Sequence, residues 1–155
     1  MNKVYETQDA GFNAVMRELQ NAGVQILESY ELNQNRYVLT ITKDKTYLIL
    51  YKRDFFNSFG KIFSKEGESG VGETVNLDDL KTCVIKCHSL ELELTDLVFV
   101  YESGKIYTIS LNDFMEYSHK RETDAENKAV ISVSIKHLKK FVDSLKTGVT
   151  KWIIL

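Results

Sequence analysis

Proline is absent from this 155-residue chain, so proline-rich recognition segments are excluded and the composition fits a compact, locally regular fold. Cysteine is nearly absent as well. Cys83 and Cys87 sit four apart on one predicted helix, where a disulfide would be hard to close, so a reducing compartment is expected. With His88 they form a Cys-x3-Cys-His group, but only His119 and His137 stand elsewhere. A four-ligand zinc site therefore lacks its second half, and buried cysteines on a core-facing helix are the simpler reading. No stretch approaches the roughly 18 apolar residues of a spanning helix, and the opening Met-Asn-Lys-Val-Tyr-Glu has no apolar leader core. The expectation is a soluble, cytoplasmic protein with no membrane partner. No serine or cysteine nucleophile stands in an elbow or triad context, and no dinucleotide fingerprint occurs. The glycine-rich Gly-Glu-Ser-Gly-Val-Gly-Glu at residues 67–73 lacks the lysine and hydroxyl of a phosphate loop and carries two glutamates.

What the chain does have is enough apolar content, 43%, to fill one sizeable core, and a length that suits a single domain over 1–155. Its net charge of -2 conceals blocks of opposite sign: +2 over residues 1–65, -8 over 66–118 and +4 over 119–155. An acidic middle between basic ends could place metal-binding carboxylates between phosphate-binding arms, or reflect no more than solvated faces.

Phe12, Val15, Met16 and Leu19 recur at helical spacing, and Gly23 follows as a stop. Three strands are predicted next, over 24–32, 37–42 and 46–51, with turns at Asn33-Gln34-Asn35 and around Asp44. Residues 57–76, which hold Gly60, Gly67, Gly70 and Gly72, are expected to form a mobile loop. Asn76 caps a predicted helix over 77–87, with Asp78 and Asp79 in its first turn. Alternation from Leu90 to Leu94, running on through Leu97–Val100, predicts a strand, and Ile106–Ile109 returns it as a hairpin. Ser110 with Asp113 resembles a capping box for a short helix carrying Phe114. Val130–Val133 is β-rich, and Ser134 is expected to cap a helix whose Ile135, Leu138, Phe141, Val142 and Leu145 face inward while Lys136, Lys139, Lys140 and Lys146 face out. The fold class is mixed α/β: a helix, a three-stranded antiparallel meander, and a later hairpin with two helices on a central mixed sheet.

A helix, three strands and a lysine, Lys52, leaving the third strand resemble the opening of PD-(D/E)XK nucleases, the restriction-endonuclease and Holliday-junction-resolvase type. Residues 1–54 carry the resemblance. It implies a Mg2+ or Mn2+ site built from a helix acid, an aspartate on the second strand and a Glu-x-Lys on the third, the lysine stabilising charge or positioning water. This chain departs at the acids, with Leu50 in the Glu-x-Lys position and Tyr37 or Val38 in place of the aspartate. Catalysis would need displaced carboxylates, for which Glu18, Glu28, Glu31 and Asp54 are the candidates, with Glu28 and Glu31 beside Lys52 as the catalytic set. An alternative metal site would use Glu91 and Glu93 on alternate positions of the predicted strand and Asp96 after them, within reach of Glu73 if the glycine loop folds back.

Tyr47, Tyr51, Phe55, Phe56 and Phe59 surround Lys52, Arg53 and Lys61, the pattern of a nucleic-acid patch or of a packed core. With Lys136, Lys139 and Lys140 these cations are the expected phosphate contacts to DNA or RNA. The apolar Lys-Trp-Ile-Ile-Leu at 151–155 adds a strand or docks on a second copy. Two functions are thus expected: a nucleic-acid-binding protein with a nuclease-like fold, catalytic if its acids are displaced and in need of no cofactor otherwise, or a non-catalytic interaction module that forms a homodimer through that apolar segment.

Overall fold

The computed structural model describes residues 4–34, 36–52, 57–58, 71–122 and 129–146. The first helix, α1 (Gln8–Asn21), starts where Thr7 accepts the amide of Ala10, and it buries Phe12, Val15 and Leu19. Its end is a Schellman motif: the Val24 amide reaches the Leu19 carbonyl and the Gly23 amide reaches that of Gln20, with Gly23 at φ +80°. Strands β1 (Ile26–Leu32), β2 (Tyr37–Thr42) and β3 (Thr46–Lys52) follow as the antiparallel meander expected. Beyond β4 (Asn57–Ser58) and β5 (Val71–Asn76), α2 (Leu77–Ser89) leads through a crossover to β6 (Asp96–Tyr101), which pairs parallel with β3. Then come β7 (Ile106–Ser110), α3 (Leu111–Tyr117), β8 (His119–Glu122) and β9 (Ala129–Ser134). The described chain closes with a 3₁₀ turn (Ile135–His137), β10 (Lys139–Lys140) and a last helix, α4, over 141–146.

Two sheets result, a mixed one in the order β1-β2-β3-β6-β7-β10 and an antiparallel one in the order β4-β5-β9-β8. The strand period of two divides the mixed sheet between two cores. On one face Val38, Tyr47, Ile49, Val98 and Val100 pack against α1 and Phe141 of α4. On the other, Leu39, Leu48, Leu50, Leu97, Phe99 and Tyr101 meet α2 and the second sheet's Val75, Ile131 and Val133. Residues 97–101 of β6 are wholly buried on both faces, as expected of a strand in a parallel pair covered on each side. Among the described residues no helix is long and apolar enough to cross a membrane.

The mixed α/β class, the meander, the hairpin and the caps Asn76 and Ser110 are as the residues imply, while three local expectations are corrected. Leu90–Leu94 is not strand. It follows α2 from its C-cap Leu90, where the Leu92 amide donates to the Cys87 carbonyl and the Glu91 amide to that of His88 in a second Schellman motif, with Glu91 in the left-handed region at φ +59°. The helix expected from Ser134 breaks, because Lys139 and Lys140 pair with Thr108 and Tyr107 as an edge strand. Val142, expected inside, is exposed. The third correction falls in the expected loop 57–76, since its last six residues are β5, paired with β9 from Gly72↔Ser134 to Asn76↔Val130; residues 59–70 lie outside the described residues.

Glycine at 72 is required by that pairing, since a Cβ there would collide with the Val133 carbonyl oxygen. Gly72→Ala should therefore cost about 2–3 kcal/mol by forcing β5 off β9, read as a lowered midpoint in urea melts; an unchanged midpoint would contradict the close approach.

Candidate functional site

Lys52 ends β3 beside Tyr101 of β6, its partner in the parallel ladder. Because even-numbered β3 residues face the second sheet, the Lys52 side chain turns inward rather than out of the sheet end. Its Nζ lies 3.2 Å from Glu73 Oε1 and donates to the Thr74 carbonyl at 2.8 Å. Glu73, on β5 of the second sheet, is completely buried. Its other oxygen accepts the Tyr101 hydroxyl at 2.9 Å, and Oε1 also accepts the Thr74 amide at 3.1 Å. A carboxylate without water is tolerable only when its lone pairs are filled in this manner. Burial, then the Glu73 charge and the hydrogen bond to it, raise the Tyr101 phenol far above its usual range.

Next to this cluster the resemblance would place its acids, and neither is present. Leu50 is buried, and opposite it in the ladder stands Tyr37. The Tyr37 hydroxyl donates at 2.6 Å to Asp79 Oδ2 in the first turn of α2, whose amide is capped by Asn76. Burial and that hydrogen bond push the Tyr37 phenol up as well. Cys83 faces the same core, and burial raises its thiol to about 12; Cys87 is raised for the same reason. Both are free and buried.

The structure scatters the remaining candidates. Glu31 turns to the α1 side, where with Asp9 and Asn13 it lines an open cleft of about 450 Å³. Glu18 on α1 lines another, beside Lys105 and Lys140, across the sheet from Lys52. Glu28 accepts the Tyr30 hydroxyl and sits opposite Ile41, itself opposite Thr46. That leaves it roughly 20 Å along the strands from Lys52. Glu91 and Glu93 are exposed and off any strand, while Asp96 is buried and lies 3.5 Å from Lys45. Arg53, Asp54, Lys61 and the apolar segment 151–155 are outside the described residues. Lys136, Lys139 and Lys140 are exposed on the 3₁₀ turn and β10, at the far edge of the mixed sheet. Glu73, which from sequence belongs to a glycine-rich loop and would join Glu91, Glu93 and Asp96 only if that loop folds back, instead occupies an inward strand position that apolar patterning assigns to a valine or leucine.

A divalent cation does not fit the Lys52 cluster. Mg2+ requires open carboxylate oxygens and room for retained waters, whereas Glu73 is enclosed and fully engaged by three donors. Among the described residues no group of three or more His, Cys, Asp or Glu could hold a metal ion.

The fold is nuclease-like. Among solved structures, a Holliday junction resolvase, Hjc, from the archaeal hyperthermophile Archaeoglobus fulgidus is similar, with a TM-score of 0.50 and 9% identity, over 85% of this chain and 97% of that one. No protein-family model matches the chain, and no curated protein does. At so low an identity the likeness speaks for the fold alone.

Tyr37, Tyr47 and Tyr101 all sit above the ordinary phenol value of 10.0, Tyr47 at about 12 through burial and the Asp96 charge. A folded value above the unfolded one means stability that is intact below pH 10 and falls as pH rises past it toward the folded values. In an ultraviolet phenolate titration these three of the eight tyrosines should stay silent until the protein unfolds in alkali and then ionise together. A smooth titration of all of them near pH 10 would contradict the burial of these three rings.

Proposed function

We propose that this chain binds nucleic acid on its nuclease-like fold and holds it by phosphate contacts along the β10 edge rather than at Lys52. The observation that carries the reading is the exposed run Lys136, Lys139 and Lys140 at the border of a sheet whose likeness is to a junction resolvase. Lysines on an edge strand also discourage strand addition by another chain. Lys52 is engaged by a buried carboxylate, so an incoming phosphate would have to displace Glu73 to use it.

Binding without cleavage is the form of this function that the donor set supports. Mg2+- or Mn2+-dependent cutting would have to draw on acids elsewhere, Asp54 among them. Arg53 and Lys61 are further phosphate contacts in this reading. The substrate most worth offering is a four-way DNA junction, the one named for the similar resolvase.

Labelled junction, duplex and single strand should be retarded intact at low salt, with Mg2+, Mn2+ or EDTA alike. Affinity should fall steeply with ionic strength, and Lys139→Ala with Lys140→Ala should lower the log–log salt slope by about 1–2. Absence of any retardation at low salt would overturn the reading, and metal-dependent cleavage would replace binding by catalysis.

A further inference from the structure

The Tyr117 and His137 rings stack with their centroids 4.2 Å apart and their planes 3° from parallel. Each is the last residue of a short helical turn, α3 for Tyr117 and the 3₁₀ turn for His137. Each turn is pinned by a buried neighbour, Phe114 at 0% and Leu138 at 9% exposure. The stack is thus held by the core without being part of it. Tyr117 keeps 41% of its surface in solvent, where a ring serving only as core would be hidden. Lys136 precedes His137 directly, and His137 shares with Lys139 and Lys140 an open cleft of about 490 Å³. Asp113 and Asp143 line that cleft too, and the Lys45 charge within it is offset by Asp96. Lys139 and Lys140 are matched in number by Asp113 and Asp143, so the cleft lining is neutral, and Lys136 beside it adds one positive charge.

We infer that Tyr117, backed by His137, is a stacking platform for an unpaired base, with Lys136 and Lys139 receiving the flanking phosphates. A π face accepts any base, and adjacent lysines supply the sequence-independent attraction that single-stranded binding uses. Duplex DNA keeps its bases stacked on one another and cannot offer a face to Tyr117, so the platform confers preference for single-stranded or unpaired segments. The inference rests on the nucleic-acid reading above and narrows it to a strand form.

The test uses oligothymidine carrying one 2-aminopurine, beside a duplex of the same length. The unaltered protein and Tyr117→Phe should quench the 2-aminopurine fluorescence on binding. Tyr117→Ala should lose the quenching and bind the single strand roughly 5- to 150-fold more weakly, the range of one lost base stack, with duplex affinity within about twofold. Tyr117→Leu, which keeps apolar volume without a π face, should behave like Tyr117→Ala and serves if that variant fails to fold. Wild-type quenching and affinity in both would overturn the platform while leaving nucleic-acid binding in place. No binding of either oligonucleotide by the unaltered protein would overturn the two together.

Discussion

A carboxylate buried at the meeting of two sheets sets the rest of this structure. Glu73 belongs to the antiparallel sheet, and the groups that satisfy it, Lys52 and Tyr101, belong to neighbouring strands of the mixed one. Removing such an ion from water costs several kcal/mol unless its partners are placed well. Two donors from the mixed sheet on one carboxyl, with Lys52 also reaching the Thr74 carbonyl, therefore fix the position of β5 over β3 and β6 far more narrowly than apolar contact would. Helix α2 starts directly from β5 at its Asn76 cap, so the same constraint locates Leu80, Cys83 and Cys87 in the core between the sheets.

This arrangement changes what the end of β3 can do. In nucleases of the resembled type a lysine there works beside acids at a metal. Here the same lysine closes an inter-sheet contact, the neighbouring strand position is a buried leucine, and the tyrosine opposite is tied to the first turn of α2. What would be a polar, hydrated cleft is part of the core. Exposed charge and exposed aromatic surface lie instead at the opposite border of the mixed sheet, where Tyr117, His137 and the β10 lysines gather.

Most of the elements were legible because their signals are local. Helical spacing in α1, the capping residues Asn76 and Ser110, and the apolar run of β6 each act within a few residues. Two of the failures share a cause, since each involves a residue whose conformation is decided by a distant partner, while the third is a local helix end that its residues do not advertise. Gly23 and Glu91 end their helices by the same motif, yet only the glycine advertises it. Glu73 reads as loop because the lysine and tyrosine that satisfy it are elsewhere in the chain, and Lys139-Lys140 reads as a helix face because its hydrogen-bonding partner is β7. Lys52 was recognisable as a singular residue, but the side of the sheet it would face, and hence its separation from Glu18, depended on strand register.

A double-mutant cycle on Lys52→Met and Glu73→Gln, followed by urea unfolding, tests the central claim most directly. Glu73→Gln alone should cost about 2–4 kcal/mol by leaving the half-buried Lys52 ammonium without its counter-charge. The double variant should regain part of that, giving a coupling of about 1–3 kcal/mol, while Lys52→Met leaves nucleic-acid affinity within about twofold. Additive losses in stability, or a folded Lys52→Met protein that no longer binds nucleic acid, would contradict the account and return Lys52 to the functional surface.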